Sequence, residues 1–281
     1  MNSPDCSHTG ALTNKIALIT GGGRGIGRSA ALHCARAGAH VVVVARSEKQ
    51  IAETGAAVQA EGGKATAIPL DITDKDRVAQ LHSVVSETIG PVDILVNNAA
   101  TSEPLGPILE TDADEWWHCM DVNVRGALLC IQTFVPAMVS RGSGCVINVA
   151  SESGILPYPF ASAYITSKTA LIRLSEVLAL ETGYSGVKVF CIEPGTVRTA
   201  MSEKSIQSPM IQLMAPWFKK IFDEHRDVPP DRAARRIVEL ASGKADALSG
   251  AFLYVRDNLD ELIERADTTP QADFRTLRIK E

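Results

Sequence analysis

Apolar residues in this chain come in short unbroken runs, separated by longer stretches of mixed, helix-spaced character. Residues 15–20 (KIALIT), 40–45 (HVVVVA), 64–70, 92–96 (VDILV), 144–150 (GCVINVA), 187–193 (VKVFCIE) and 251–255 (AFLYV) are seven such runs. Short, continuous and mostly rich in β-branched residues, they predict strands buried on both faces. The intervals predict helices. One covers 26–37 and stops at Gly38; one is capped by Ser47 and ends near Gly62-Gly63; one opens at 71–74 and closes at Gly90-Pro91. A long one covers 116–140, with Pro136 as a kink or terminus, and two more cover 162–182 and 230–241. Residues 201–228 show no clear period, and the tail after Asp257 is charged. Strand–helix alternation along the whole chain predicts an α/β fold, a parallel sheet covered by helices on both faces.

Composition narrows the function. The 281 residues are 45% hydrophobic and 22% charged, with a formal net charge of −5. That is the profile of a globular domain, and it offers no electrostatic case for nucleic acid or an anionic membrane as partner. The six cysteines (Cys6, Cys34, Cys119, Cys130, Cys145, Cys191) form no CxxC and have no histidine at zinc-finger spacing. They read as buried free thiols, with no metal site and no disulfide. The first fourteen residues lack a cationic start and an apolar core, and no apolar run reads as long enough to cross a bilayer, so a cytoplasmic setting is expected. The six histidines show no pairing with a nucleophile or a metal partner, and none is assigned a catalytic role.

Candidate chemistry begins at Thr20-Gly21-Gly22-Gly23-Arg24-Gly25-Ile26-Gly27, between the first strand and the first helix. Glycines permit positive φ and close approach of a pyrophosphate, and the helix start offers unpaired N–H groups to an anion. With a strand before and a helix after, this is a dinucleotide site. The second strand ends in Ala45-Arg46, where an NAD-binding chain would carry an acidic residue on the ribose 2′-hydroxyl. Arg46 and Arg24 suit a 2′-phosphate, which favours NADP(H) over NAD(H).

Tyr164 and Lys168 stand four residues apart in a predicted helix and so share one face. A cation beside a phenol should lower its pKa from about 10 and make it usable as an acid and base near neutral pH. On its own the pair is as readily two ordinary helix-surface residues.

Taken in order, Thr20-Gly21-x-x-x-Gly25-x-Gly27, Asp71, Asn97-Asn98-Ala99, Asn123, Ser151, Tyr164-x-x-x-Lys168 and Pro194-Gly195 resemble the motif series of the classical short-chain dehydrogenase/reductase family, from about residue 15 to 255. The resemblance implies a single Rossmann-type doubly wound parallel sheet of about seven strands. It implies a flexible arm at 1–14, one dinucleotide-binding catalytic domain at 15–257 with a substrate loop at about 200–228, and a tail at 258–281. It also implies a catalytic set of Asn123, Ser151, Tyr164 and Lys168. Tyr164 would be the general acid/base and Lys168 would tune it and grip the nicotinamide ribose. Ser151 would polarise the substrate oxygen, and Asn123 would hold a water in a proton relay. NADP(H) would be held by Gly21, Arg24, Gly25, Ile26, Gly27, Arg46, Asp71, Ile72, Asn98, Ala99, Pro194, Gly195, Val197 and Thr199, together with Tyr164 and Lys168. The family motif commonly ends in glycine after Ala99; this chain has Ala100, expected to cost about 1 kcal/mol if the turn requires positive φ.

The expected activity is interconversion of a small-molecule carbonyl and an alcohol by hydride transfer, by a homodimer or homotetramer paired through the long helices. The alternatives are an NAD(H)-dependent secondary-alcohol dehydrogenase and a non-catalytic nucleotide-binding regulator. Glu152, Ser153, Tyr158, Phe160, Trp217 and Phe218 are candidates for the substrate wall, with packing or subunit contact as the other reading. Trp116 and Trp117 read as packing residues at the start of the long helix.

Overall fold

The computed structural model describes residues 10–266 and 274–278. The rest of the expected arm, with Cys6, and the rest of the expected tail lie outside the described residues. The seven apolar runs form β1 (Ile16–Thr20), β2 (His40–Ala45), β3 (Lys64–Pro69), β4 (Ile94–Asn97), β5 (Gly144–Val149), β6 (Val187–Glu193) and β7 (Phe252–Tyr254). All pair in parallel, in the order β3-β2-β1-β4-β5-β6-β7. The chain winds outward from β1 to β3, returns to lay β4 against the free side of β1, and then winds outward the other way. That reversal opens a crevice beyond the C-terminal ends of β1 and β4, the place where such sheets bind ligands.

Both faces of the sheet are covered. Ala17, Ile19, Val41, Val43 and Ile147 pack on one face with Ala30, Ala31 and Cys34 of α1 (Gly25–Arg36) and Ile237 and Val238 of α10 (Pro230–Ala241). Leu18, Val42, Val44, Leu95 and Val146 pack on the other with Val78, Leu81 and Val85 of α3 (Lys75–Thr88) and Phe134 and Met138 of α5 (Gly126–Arg141). Covering both faces is why the strand sequences run apolar without alternation. β3 departs from that reading: it is the sheet edge, and its burial alternates between exposed and half-buried. Ser47 caps α2 (Glu48–Ala60) by accepting from the Gln50 N–H, as its position predicted.

Several expectations are corrected. The long helix at 116–140 is instead α4 (Ala113–Met120), a π-helical turn (Asp121–Arg125) and α5. Pro136 lies inside α5 without ending it; the stop is Gly142, whose φ of 67° supplies the left-handed cap. The segment at 201–228 forms α7 (Ala200–Gln207), α8 (Pro209–Met214) and α9 (Pro216–Asp223). Each is about two turns or fewer, too short to show a period, and prolines open two of them. The charged tail, expected to be partly helical, does contain a helix, α11 (Leu259–Ala266). The arm is docked from residue 10 onward: Leu12 is wholly buried and its N–H donates to the Ala37 carbonyl at 2.8 Å. Taken together, Ala113–Arg141 is long and apolar enough, by length and composition, to cross a bilayer. Its apolar character is nonetheless that of a core helix, since Leu129, Cys130, Phe134, Val135 and Met138 fill one side of the sheet. Cys34, Cys119, Cys130, Cys145 and Cys191 are buried free thiols.

Gly27, in the first turn of α1, is where helix and sheet approach most closely. A Cβ there would come within 2.3 Å of the Gly21 carbonyl oxygen and 2.5 Å of Asn98 Nδ2. Neither neighbour can withdraw without opening the crevice. Gly27→Ala is therefore expected to destabilise the protein by about 1–3 kcal/mol in urea unfolding and to weaken nucleotide binding in the same preparation.

Candidate active site

The floor of the crevice is a small hydrogen-bonded staple. Thr20 Oγ1 accepts from the Asn98 N–H at 3.0 Å and the Ala99 N–H at 3.1 Å, and Asn98 Nδ2 donates to the Thr20 carbonyl at 2.9 Å. Deeper in the sheet Asn97 donates to Asn148, and Asn148 donates to Ser175 on α6 (Ser162–Thr182). Above the staple Gly21 (φ 66°) and Gly25 (φ 53°) turn the chain into α1. No side chain caps α1, and its first turn holds no acidic residue. Its free N–H groups and positive dipole end are thus available to an anion. Gly21, Arg24, Gly25 and Ile26 line a cleft of about 600 Å³ with Asp71, Ile72, Asn98, Ala99, Tyr164, Lys168, Pro194 and Thr199. An uncapped helix start over a glycine turn fits the diphosphate of a dinucleotide.

Arg46 lines the same cleft as Arg24, both exposed, and neither forms an ion pair among the described residues. Asp71 is the one carboxylate in that lining. Burial works against its ionisation, but the Thr73 N–H and hydroxyl donate to its Oδ1 at 3.0 and 2.8 Å. These bonds and the positive charge of Arg46 hold its pKa below the usual range. Ala100 also lines the cleft, and its φ is not positive, so the expected backbone cost does not arise.

A second cavity of about 510 Å³ adjoins the first. Ser151, Gly195 and Val197 line it, under a roof from α7, α8 and α9 that includes Met201, Ile211, Trp217 and Phe218. Leu105, Leu156 and Tyr158 complete a largely apolar wall. Tyr164 lines both cavities, Lys168 only the nucleotide cleft, and Ser151 only the second cavity. Thr199 caps α7 in a reciprocal pair with Ser202, and its methyl lies against Gly25, so it closes the cleft near the glycine turn.

The tyrosine–lysine pair does not behave as the spacing alone suggested. Lys168 is 3% exposed, its Nζ donates to the Val149 carbonyl at 2.8 Å, and it lies 5.6 Å from the centre of the Tyr164 ring. Burial lowers its pKa to about 8. Burial raises that of the Tyr164 phenol well above its ordinary range, helped by the neighbouring Tyr158, with Ser151 acting in the opposite sense. The reason is burial: both side chains are taken out of water, which disfavours the charged form of each and outweighs what their spacing on one helix face suggested.

Asn123 lines neither cavity. It lies in the π-helical turn, buried, with Oδ1 accepting from the Thr101 N–H and Nδ2 donating to the Thr101 carbonyl and to Ser167 Oγ, all at 2.8 Å. With both N–H donors used, its side chain clamps the loop after β4 to α6. Gly27 likewise stays outside the cleft lining and serves packing. Thr101 and Ser167 are site residues that sequence reasoning missed, and Thr20 was read only as the start of the glycine motif; Ser153, a candidate for the substrate wall, does line the second cavity.

Trp116 donates from Nε1 to Ser162 Oγ at 3.1 Å, as a packing residue should, but Trp117 is 61% exposed.

A doubly wound sheet whose switch-point cleft is shared with a tyrosine and a lysine from one helix defines a nicotinamide-dependent oxidoreductase of the Rossmann type. The family model for short chain dehydrogenases matches residues 15–209. A short chain dehydrogenase of Pseudocercospora fijiensis is 34% identical over 267 residues, covering 92% of this chain and 85% of that protein. A 3beta-hydroxysteroid dehydrogenase of Mediterraneibacter gnavus is 30% identical over 260 residues, covering 87% and 94%. Among solved structures, a putative NAD(P) dependent gluconate 5-dehydrogenase of Beutenbergia cavernae with bound NADP superposes with a TM-score of 0.79 at 31% identity, covering 87% of this chain and 96% of that one. The chain belongs to the short-chain dehydrogenase/reductase family.

Burying Lys168 has a thermodynamic signature. Its folded pKa lies below its unfolded value of about 10.4, so the unfolded chain binds the extra proton between the two. Stability therefore rises with pH across that window. Lys168→Met should make the ligand-free protein more stable than the parent by about 1–2 kcal/mol at pH 7 in urea unfolding. The difference should shrink toward zero as the pH approaches 10.

Proposed function

We propose that the protein is an NADP(H)-dependent oxidoreductase that reduces a bulky, largely apolar ketone or aldehyde to the alcohol, and runs the reverse reaction. The observation that carries this reading is the position of Tyr164 in the wall common to the nucleotide cleft and the second cavity. A phenolic proton held there lies between the cleft that would hold the nucleotide and the cavity that would hold a carbonyl substrate. The chemistry a nicotinamide cofactor would supply there is a hydride. Tyr164 gives its phenolic proton to the carbonyl oxygen, and Ser151 donates a hydrogen bond to the same oxygen as charge develops on it. Lys168 contributes a positive end to the cleft, where ribose hydroxyls would meet it. A phenol that burial keeps protonated is suited to the acid role in reduction.

The choice of NADP(H) rests on Arg24 and Arg46, two guanidinium groups in the lining of the cleft with no ion pair among the described residues. NADP in the Beutenbergia structure agrees with it. The apolar wall of the second cavity, with Trp217 and Phe218 in its roof, suits an extended hydrocarbon or aromatic substrate better than a sugar acid. The hydroxysteroid dehydrogenase relative fits that substrate class. A homodimer or homotetramer is part of the proposal. Trp117, Val177, Leu180 and Tyr184 leave an exposed apolar surface around α4 and α6 that a second copy can cover. A cytoplasmic location completes it.

Benzil, an activated aryl diketone, serves as the test substrate. Tyr164→Phe should lower NADPH-dependent reduction of benzil by about 100-fold or more while NADPH affinity by fluorescence titration stays within about twofold. Unchanged turnover would refute the assignment. The parent enzyme should bind NADPH at least about tenfold more tightly than NADH, and Arg46→Asp should remove or reverse that preference in the same titration.

A further inference from the structure

We infer that Glu193 selects the substrate: one of its carboxylate oxygens accepts a hydrogen bond from a hydroxyl carried beside the substrate carbonyl, so that an α-hydroxy ketone is preferred to the bare ketone. The inference rests on the carbonyl-reduction reading above and narrows it. The cavity under α7, α8 and α9 is largely apolar, and the charged residues in its lining are Glu152 and Glu193. Glu152 has a partner, since Arg256 Nη2 donates to its Oε1 at 3.2 Å. Asp257, near by, is paired with Arg275 at 2.6 Å. Glu193 is 9% exposed and forms no ion pair among the described residues. Its Oε1 accepts from the Gly195 N–H at 2.8 Å, the one hydrogen bond its carboxyl makes among the described residues. The second oxygen thus keeps its accepting capacity at the wall of the substrate cavity.

The fold sets that carboxyl close to the reacting centre. β6 ends at Glu193 and pairs with β5 so that Val149 stands opposite Ile192. The next residues, Ala150 and Glu193, are neighbours across strands about 4.8 Å apart, and Ser151 follows Ala150. The bond to Gly195 turns the Glu193 carboxyl past the end of the strand, where Ser151 and Gly195 line the same cavity. Its charge also works against ionisation of the Tyr164 phenol. A ketone whose oxygen meets Tyr164 and Ser151 therefore presents the atoms next to its carbonyl to Glu193.

A carboxyl in such a wall is costly to keep. Burial raises its pKa against the Gly195 bond, with Glu152 and Asp257 adding to the rise and Arg256 opposing it. Bracing the Pro194-Gly195 turn needs only one oxygen, which a neutral amide would supply. A substrate hydroxyl fills the second, and a substrate without one leaves it buried and unmatched, which is how a polar group in an apolar pocket discriminates. The hydroxyl keeps its proton throughout, so the product is a vicinal diol and Glu193 binds without reacting.

The test compares benzoin with deoxybenzoin, ketones that differ by one hydroxyl beside the carbonyl, in NADPH-dependent reduction. By kcat/KM the parent enzyme should favour benzoin at least about tenfold. Benzoin methyl ether, which keeps the oxygen but has no proton to donate, should do no better than deoxybenzoin. In Glu193→Gln the single amide oxygen is taken by the Gly195 N–H, so the ratio of benzoin to deoxybenzoin should fall to within about threefold of unity. A parent ratio near unity, a methyl ether as good as benzoin, or a preference that survives in Glu193→Gln would overturn the inference. Should Glu193→Gln fail to bind NADPH as a folded protein, the three substrates on the parent enzyme decide alone. A parent that reduces both ketones equally, with inactive Tyr164→Phe, would sink this inference and leave the carbonyl reading standing. A parent inert toward benzoin, deoxybenzoin and benzil would overturn both.

Discussion

The bonds between Thr20 and the Asn98–Ala99 backbone hold the rest of the site in register. They join the ends of β1 and β4 where the sheet reverses direction, and a reversal leaves two adjacent strand ends with no helix between them. Without a side chain to bridge them, those backbone groups would be orphaned at the bottom of a crevice, at a cost of about 1–3 kcal/mol each. Thr20 satisfies two N–H groups with one oxygen, and Asn98 returns a donor to the Thr20 carbonyl. The close approach this demands leaves no room at Gly27, so α1 must begin there with a bare backbone. A bare helix start is what an anionic ligand needs. Structural economy and ligand binding are met by the same atoms.

From that fixed floor the reactive end follows through α6. Lys168 reaches back to the β5 end to donate to the Val149 carbonyl, which buries it and lowers its pKa. Asn123, in the π-helical turn between α4 and α5, ties Thr101 and Ser167 together and so fixes α6 against the loop after β4. Tyr164, one turn before Lys168, is thereby carried to the partition between two cavities. Burial disfavours the charged form of both groups, lowering the lysine's pKa and raising the phenol's. Carbonyl reduction needs the phenol intact, and burial favours that form. Stability and function pull against each other at Lys168, where the fold tolerates a buried amine that a hydrocarbon would improve.

The sheet was legible because burial on both faces writes a clear pattern: short, mostly apolar runs between breakers. β3 was legible as a strand and misread as buried, since KATAIP carries the length of a strand and the exposure of an edge. The roof helices α7 to α9 were not legible, because two-turn helices do not display a period and their start signals, Pro209 and Pro216, read equally as breaks. At the site, spacing located Tyr164 and Lys168 on one face but could not report which would titrate first, a matter of desolvation that depends on Val149 and the core around it. The same limit applies to Asn123. Its place in the motif series was visible, but a π-helical turn that aims its amide at Thr101 and Ser167 is set by tertiary packing.

Ser153 and Tyr158 show why polar chemistry in a pocket is the least legible layer. In sequence they are a serine two residues and a tyrosine seven residues after Ser151, with Pro157 between; that proximity made both candidates for the substrate wall, but nothing in it showed that they would bond to each other. Their link exists because the 3₁₀ turn brings Ser153 under Ser151 and because Trp217, fifty-nine residues beyond Tyr158, fixes the tyrosine ring. The cavity wall around them is otherwise apolar. A roof that carries Trp217 therefore does two things when it packs over the cavity: it shapes the space for an apolar substrate, and it holds in place the phenol that bonds to Ser153.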